Sequence, residues 1–177
     1  MTDPRQPRLL SSLPAAGDVV TLAVSPDGDT LAIEEANGTT GLWNVADLAH
    51  PLRLALLPGD SLLALGVAFS PDGSLLATSG SQANGRPTTA LWDIASLTQP
   101  VQLATMTVGS HGVAFDPAMP EMVTPGPRNT ALLWNISMLT EVVTEPVTRA
   151  CGIAGQGLSR NEWTTYVPGI PYSPLYG

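Results

Sequence analysis

The sequence predicts an all-β chain built as an array of similar units, each a small antiparallel sheet. Two recurrences carry that prediction. A tight turn appears as Ser25-Pro26-Asp27-Gly28, as Ser70-Pro71-Asp72-Gly73 and, degraded, as Asp116-Pro117-Ala118-Met119, with the prolines 45 and 46 positions apart. Each turn is followed by an apolar strand with one tryptophan: Leu42-Trp43-Asn44-Val45, Leu91-Trp92-Asp93-Ile94 and Leu133-Trp134-Asn135-Ile136. A fixed period of this length marks stacked supersecondary units, each too small to bury its own apolar face.

The strands can be placed in order from alternation and turn chemistry. In the second unit, residues 65–69 form a short apolar run closed by a turn in which Pro71 fixes φ and Gly73 supplies a conformation a β-carbon resists. Residues 75–78 follow as the second strand. The polar stretch from Ser79 to Pro87 turns the chain into a third, 88–94, and residues 101–106 alternate as a fourth. The first unit repeats the plan near 19–25, 30–34, 40–45 and 52–57. The third repeats it near 111–116, 121–124, 130–136 and, weakly, 142–147. Residues 8–13 read as the fourth strand of a preceding unit.

These turns and tryptophan strands resemble the tryptophan-aspartate (WD) repeat β-propellers, over about residues 19–136. The resemblance implies a partial β-propeller of three four-stranded antiparallel blades, a non-enzymatic class and protein or peptide partners. There are departures. The family's Gly-His dipeptide ahead of the first strand is replaced by Gly17-Asp18, Gly59-Asp60 and Gly109-Ser110-His111, and only Trp92-Asp93 keeps the literal signature. The full side-chain network of His, Asp, Ser/Thr and Trp is therefore not expected, and packing must supply most of the rigidity. Closed rings use typically 4–8 blades. Three blades imply the C-terminal end of a larger propeller or a shortened relative of one, and the isolated chain is expected to cover its open blade faces by self-association.

Composition fits a soluble cytoplasmic chain and argues against a nucleic-acid partner. Charged residues are only 12% of the chain and the net charge is −8, with seven basic residues, all arginine and scattered. That offers no footprint for a phosphate backbone. No apolar run approaches a membrane span, and no signal core follows Met1, so the expectation is a cytoplasmic location. The arginine, alanine, glycine, proline and leucine bias looks bacterial. A lone Cys151 excludes an internal disulfide framework.

Candidate chemistry is sparse. His50 and His111 lie in different blades without a second ligand at metal spacing, and Ser110 is not in a nucleophile-elbow context. Asp27 and Asp72 beside glycine are turn-formers rather than paired acids. The Gly-rich run 152–157 lacks the phosphate-binding order. No catalytic residue, metal or cofactor is expected. Trp43, Trp92 and Trp134 recur at one repeat position, which marks packing residues.

Two places are left for partner contact. The connector between the second and third strands of the second blade is four residues longer than its counterparts, which predicts a protruding loop; it carries Gln82 and Arg86, and Arg86 is the leading contact. The segment 148–177 departs from the blade pattern that is expected over 1–147 (blades about 19–57, 65–106 and 111–147). There Ser159 and Glu162 form a capping-box signature for a short helix ahead of Pro168, and Trp163 and Tyr166 would face the blades or a partner. The resulting expectation is a protein–protein interaction scaffold, the C-terminal WD-repeat part of a larger bacterial signalling or regulatory protein. The alternatives are a ligand-sensing domain regulating an upstream ATPase, kinase or peptidase, and a degenerate fragment.

Overall fold

The structure, a computed structural model, describes residues 8–59, 63–108 and 112–137 together with Leu139. The chain divides into two compact units, Met1–Ser137 and Met138–Gly177. All eleven described strands lie in the first: β1 (Val19–Val24), β2 (Thr30–Glu35), β3 (Thr40–Asn44), β4 (Leu52–Leu57), β5 (Leu63–Phe69), β6 (Leu75–Ser81), β7 (Pro87–Asp93), β8 (Val101–Met106), β9 (Ala114–Phe115), β10 (Glu121–Gly126) and β11 (Thr130–Asn135). They form sheets ordered β1-β2-β3-β4, β5-β6-β7-β8 and β9-β10-β11, every pairing antiparallel. These are three blades, the third with three described strands.

Sequence period becomes structural period through register. Leu31 pairs with Trp43, Leu76 with Trp92 and Met122 with Trp134, so each tryptophan holds the same place in its blade. Parity along a strand is two, so one face of blade 1 carries Ala32 and Leu42 while the other carries Leu31, Ile33 and Trp43. The first face packs on blade 2: Ala32, Leu42 and Leu57 are buried with Leu76, Trp92 and Ile94, and Ala55, Val67, Phe69, Ala90 and Leu97 surround them. The opposite face of blade 1 holds a smaller cluster, Ile33, Trp43 and Val45, with Leu13 and Leu31 against it.

Residues 8–13, expected as a strand, have no strand conformation. A strand there needs the edge of another blade, and no described strand pairs with it. The segment is instead held by a side chain, with Leu13 packed against the Trp43 cluster. The first strand of blade 3, expected over 111–116, is reduced to Ala114 and Phe115, which pair with Val123 and Met122. The expected fourth strand at 142–147 and the helix near Ser159–Pro168, with Trp163 and Tyr166, lie outside the described residues.

The long connector of blade 2 also differs from expectation. In blade 1 a five-residue turn closes with Glu35 accepting at its carbonyl from Gly38 N and donating its own N–H to Thr39 O. Blade 2 uses the same turn at 82–86, with Gly85 N donating to Gln82 O and Gln82 N to Arg86 O. The four extra residues therefore extend β6 and β7 by two each, confirmed by the pairs Gly80 with Thr88 and Ser81 with Pro87. Backbone hydrogen bonds that a loose loop would leave to water are satisfied in the ladder. The result is a longer hairpin, not a loop.

Candidate functional site

The carboxylates that could have been read as paired acids are occupied by the turns they build. Asp27 accepts from the Ser25 hydroxyl and from Asp29 N at 3.0 Å, while Ser25 Oγ accepts from Thr30 N at 2.9 Å. The Ser25 hydrogen bond, with that from Asp29, holds the Asp27 carboxyl below its usual range. Asp72 repeats this with Ser70 Oγ at 2.5 Å and Ser74 N at 3.1 Å. Partial burial pushes Asp72 up, but the bonds from Ser70 and Ser74 together bring it below its usual value. Gly28 and Gly73 take φ of 82° and 74°, which a β-carbon disfavours. In blade 3 Asp116 stands at the serine position and accepts from Ala118 N and Met119 N at 2.7 and 2.9 Å, which lowers its pKa. One carboxylate there does what serine and aspartate share elsewhere.

The residue after each tryptophan has a similarly simple task. Asn44, Asp93 and Asn135 each accept from the backbone N–H two residues on, at 3.1, 2.9 and 3.0 Å. Only one acceptor oxygen is required, so amide and carboxylate serve equally. The threonine–tryptophan part of a side-chain network is present in two blades. Trp92 Nε1 donates to Thr78 Oγ1 at 3.2 Å and Trp134 Nε1 to Thr124 Oγ1 at 3.0 Å. In blade 1 Ile33 holds the threonine position and offers no acceptor; the Arg53 guanidinium instead lies 5.9 Å from the Trp43 ring centroid. Trp43 and Trp92 are buried and Trp134 is half-buried.

Glu34 was not legible as a special residue. It shares the face of Ala32 that packs on blade 2, is buried, and its Oε2 accepts from Gly66 N at 3.1 Å. Gly66 sits beside an irregularity in the β5–β6 register, between Ala64 and Gly66, where a ladder partner is lacking. Burial pushes the Glu34 carboxyl up to about 8 against the lowering by the Gly66 bond. A cavity of about 20 Å³ adjoins Glu34, Thr78, Thr88 and Trp92, space for one water. Glu35, also buried, accepts from Ala16 N at 3.0 Å and from the Asn37 and Thr39 side chains at 3.4 and 3.3 Å.

Among the described residues no three His, Cys, Asp or Glu side chains gather as a metal site. His50 pairs locally with Asp47 at 2.8 Å in an exposed turn, and that partner lowers the Asp47 pKa. No helix among the described residues is long and apolar enough to cross a membrane. His111 and Cys151 lie outside the described residues.

The β6–β7 hairpin runs two residue pairs beyond its blade 1 counterpart. Arg86 is exposed at its turn, with its N–H held by Asn84 Oδ1 at 2.9 Å, and Gln82 is half-buried at the turn's start. The equivalent turn of blade 3 carries Arg128 and Asn129, both left-handed at φ of 55° and 61°. That turn has three residues, Pro127 to Asn129, between the paired Gly126 and Thr130. Arg128 was not singled out in the sequence; its signal was Pro127-Arg128-Asn129 between two predicted strands.

Known proteins share this architecture. No family model matches the chain. Over 69 residues it is 42% identical to WD repeat-containing protein 1-B of Xenopus laevis, a stretch covering 39% of this chain and 11% of that protein. The crystal structure of the RRP9 WD40 repeats matches 74% of this chain with 38% of its own, at 22% identity and a TM-score of 0.58. The repeats of this chain are similar to WD repeats in sequence over that stretch and share the fold of WD40 propellers. A nominal 6-phosphogluconolactonase from Bacteroides fragilis aligns over 68% of the chain and 35% of its own, at 16% identity and a TM-score of 0.59; that likeness is one of fold. The chain thus spans about a tenth of the curated relative and less than two fifths of either solved propeller.

Proposed function

We propose that this WD-repeat chain is a non-catalytic protein–protein interaction scaffold, the C-terminal propeller part of a larger bacterial signalling or regulatory protein acting in the cytoplasm. The observation that carries the reading is the extended β6–β7 hairpin, which stands beyond its blade 1 counterpart and presents Arg86 at an ordered turn. Strand residues are committed to packing, so recognition falls to turns, and an arginine on a preorganised turn loses little freedom on binding. Support also comes from the acids: Asp27, Asp72 and Asp116 are each engaged by the turn they stabilise. The RRP9 WD40 repeats and WD repeat-containing protein 1-B place the architecture among WD-repeat proteins, for which protein partners are the general expectation. Gln82 and Arg86 form the proposed contact, with Arg128 on the equivalent turn of blade 3 as a second point; Trp163 and Tyr166 belong to the proposed tail, 148–177.

The test is recovery of partners from a native lysate by the wild-type chain and by Arg86→Ala and Gln82→Ala. Loss of a specific partner with an unchanged melting curve supports the contact. Full recovery by both variants removes this hairpin from the interface.

A further inference from the structure

Blades 1 and 2 close their central hairpins with the same tripeptide, Ala36-Asn37-Gly38 and Ala83-Asn84-Gly85, in the same five-residue turn. These are the places in the chain where glycine follows asparagine. Asparagine before glycine is chemically labile, because without a β-carbon on the next residue its backbone nitrogen can reach the side-chain amide carbon. Both glycines are left-handed, at φ of 84° and 73°. Both N–H groups donate over 2.8 Å to the carbonyl of the turn's first residue. The two sites differ in what surrounds them. Asn37 Oδ1 accepts from Thr39 N at 2.9 Å and from Thr39 Oγ1 at 2.7 Å, and its Nδ2 donates to Glu35 Oε2 at 3.4 Å. Gly38 is buried, with Gly59 so close that a β-carbon there would fall 1.5 Å from the Gly38 carbonyl oxygen. For Asn84 the described residues supply one bond, from Arg86 N to Oδ1 at 2.9 Å, and residues 83–86 are exposed. A β-carbon added at Gly85 would meet nothing within 4 Å. Blade 2 has a described blade on either side, so the exposure of its turn does not come from an open end of the stack.

We propose that Asn84 is a site of spontaneous deamidation and that the equivalent Asn37 is protected by its surroundings. Solvent base takes the Gly85 N–H proton and the nitrogen attacks Asn84 Cγ. The bond from Cγ to the side-chain nitrogen breaks, and that nitrogen takes a proton from water and leaves as ammonia. Water then opens the cyclic imide at either carbonyl, which leaves aspartate or isoaspartate, with nothing oxidised or reduced. The first step needs the Gly85 N–H to part from the Gln82 carbonyl, an opening that an exposed turn makes more often than a packed one. Each product places a negative charge two residues from Arg86. Aspartate keeps an acceptor for Arg86 N, whereas isoaspartate moves a methylene from the side chain into the backbone and changes the spacing of the turn. The assignment does not depend on Arg86 being a partner contact.

The experiment holds the full 177-residue chain at mildly alkaline pH, digests samples with pepsin in acid, which halts the reaction, and follows the amide-to-acid mass gain at each asparagine. Isoaspartate is scored separately by enzymatic methylation. In the native chain Asn84 should convert at least ~10-fold faster than Asn37, a ratio set by the difference in local opening. In denaturing guanidinium chloride the two should convert within about twofold of each other, because the tripeptides are identical and the folded surroundings are gone. Asn84→Gln should abolish the fast native-state gain. Asn37 keeping pace with Asn84 in the native chain would overturn the proposal, as would a fast gain that persists in Asn84→Gln. So would an Asn84 that converts in denaturant but not in the native chain, or a gap between the sites that survives denaturation.

Discussion

Trp92 and Trp43 occupy one position in two successive blades, pair with leucines in one register, and are supported by different means. Trp92 has a blade against it: Leu42 and Leu57 lie in its cluster and Thr78 accepts from its indole. Trp43 has a single segment against it, through Leu13, with isoleucine in place of the threonine and a guanidinium over the ring. The difference teaches that a repeat encodes a surface as well as a fold. Blade 1 is shaped for a neighbour that blade 2 has and that blade 1 meets only through a strap.

The largest separation between the two environments should come from truncating the tryptophans. Trp92→Ala removes a buried ring and leaves Thr78 without its donor, and should cost about 3–5 kcal/mol. Trp43→Ala should cost about 1–2 kcal/mol less, since the Leu13 strap can relax onto the vacated space more readily than a blade can. Urea midpoints measure both, and equal losses would show that the strap is as effective a cover as a blade. The same comparison one strand away is Leu76→Ala, fully buried and expected to cost about 2–5 kcal/mol, against Leu31→Ala, half-buried and expected to cost about 1 kcal/mol.

The junction between blades 1 and 2 should also respond to pH. The Glu34 carboxyl is raised from 4.5 to about 8, so the folded state keeps a proton that the unfolded chain releases. Its contribution is intact below pH 4.5 and is lost as pH rises to about 8. Asp27, Asp72 and Asp116 act in the opposite sense, stabilising above about 3.8 and weakening in acid as they are protonated. Glu34→Gln keeps an acceptor for Gly66 N and should flatten the urea midpoint between pH 5 and 8.5, raising it at the alkaline end. A variant as pH-sensitive as wild type would show that the proton resides elsewhere.

The smallest effect belongs to the cation over Trp43. Arg53→Ala should lower stability by about 0.5–1 kcal/mol, and less at high salt. The fluorescence of Trp43, read with Trp92, Trp134 and Trp163 replaced by phenylalanine, should shift red as the ring gains water.

Much of this was legible from spacing. Pro26, Pro71 and Pro117 with Trp43, Trp92 and Trp134 located ten of the eleven strands to within a few residues, because turn chemistry and alternation are local properties. What escaped depended on register or on neighbours. Thr78 and Thr124 are ordinary strand threonines until pairing sets them beside an indole on the adjacent strand. Glu34 looks solvated beside Glu35, yet parity with Ala32 turns it into a junction between blades. The four extra residues of blade 2 counted correctly as an insertion, but counting could not divide them between two strands. Residues 8–13 had the composition of a strand, but composition does not supply a pairing partner, and no described strand pairs with them.

Gly66 has a geometric consequence of its own. A β-carbon there would come within 2.7 Å of the Gly112 Cα and of Ser79 Oγ, while its N–H is held by Glu34 from the other side. One glycine thus sits at the hub of the stack, touching the blade before and the blade after. A ring closes when the tilt between successive blades adds up to a full revolution. Hydrogen at this position lets the innermost strands approach as closely as backbones can, and a methyl group would act as a wedge at the axis, where a small displacement becomes a large swing at the rim. The curvature of the assembly is therefore set at its narrowest point, by the absence of a side chain.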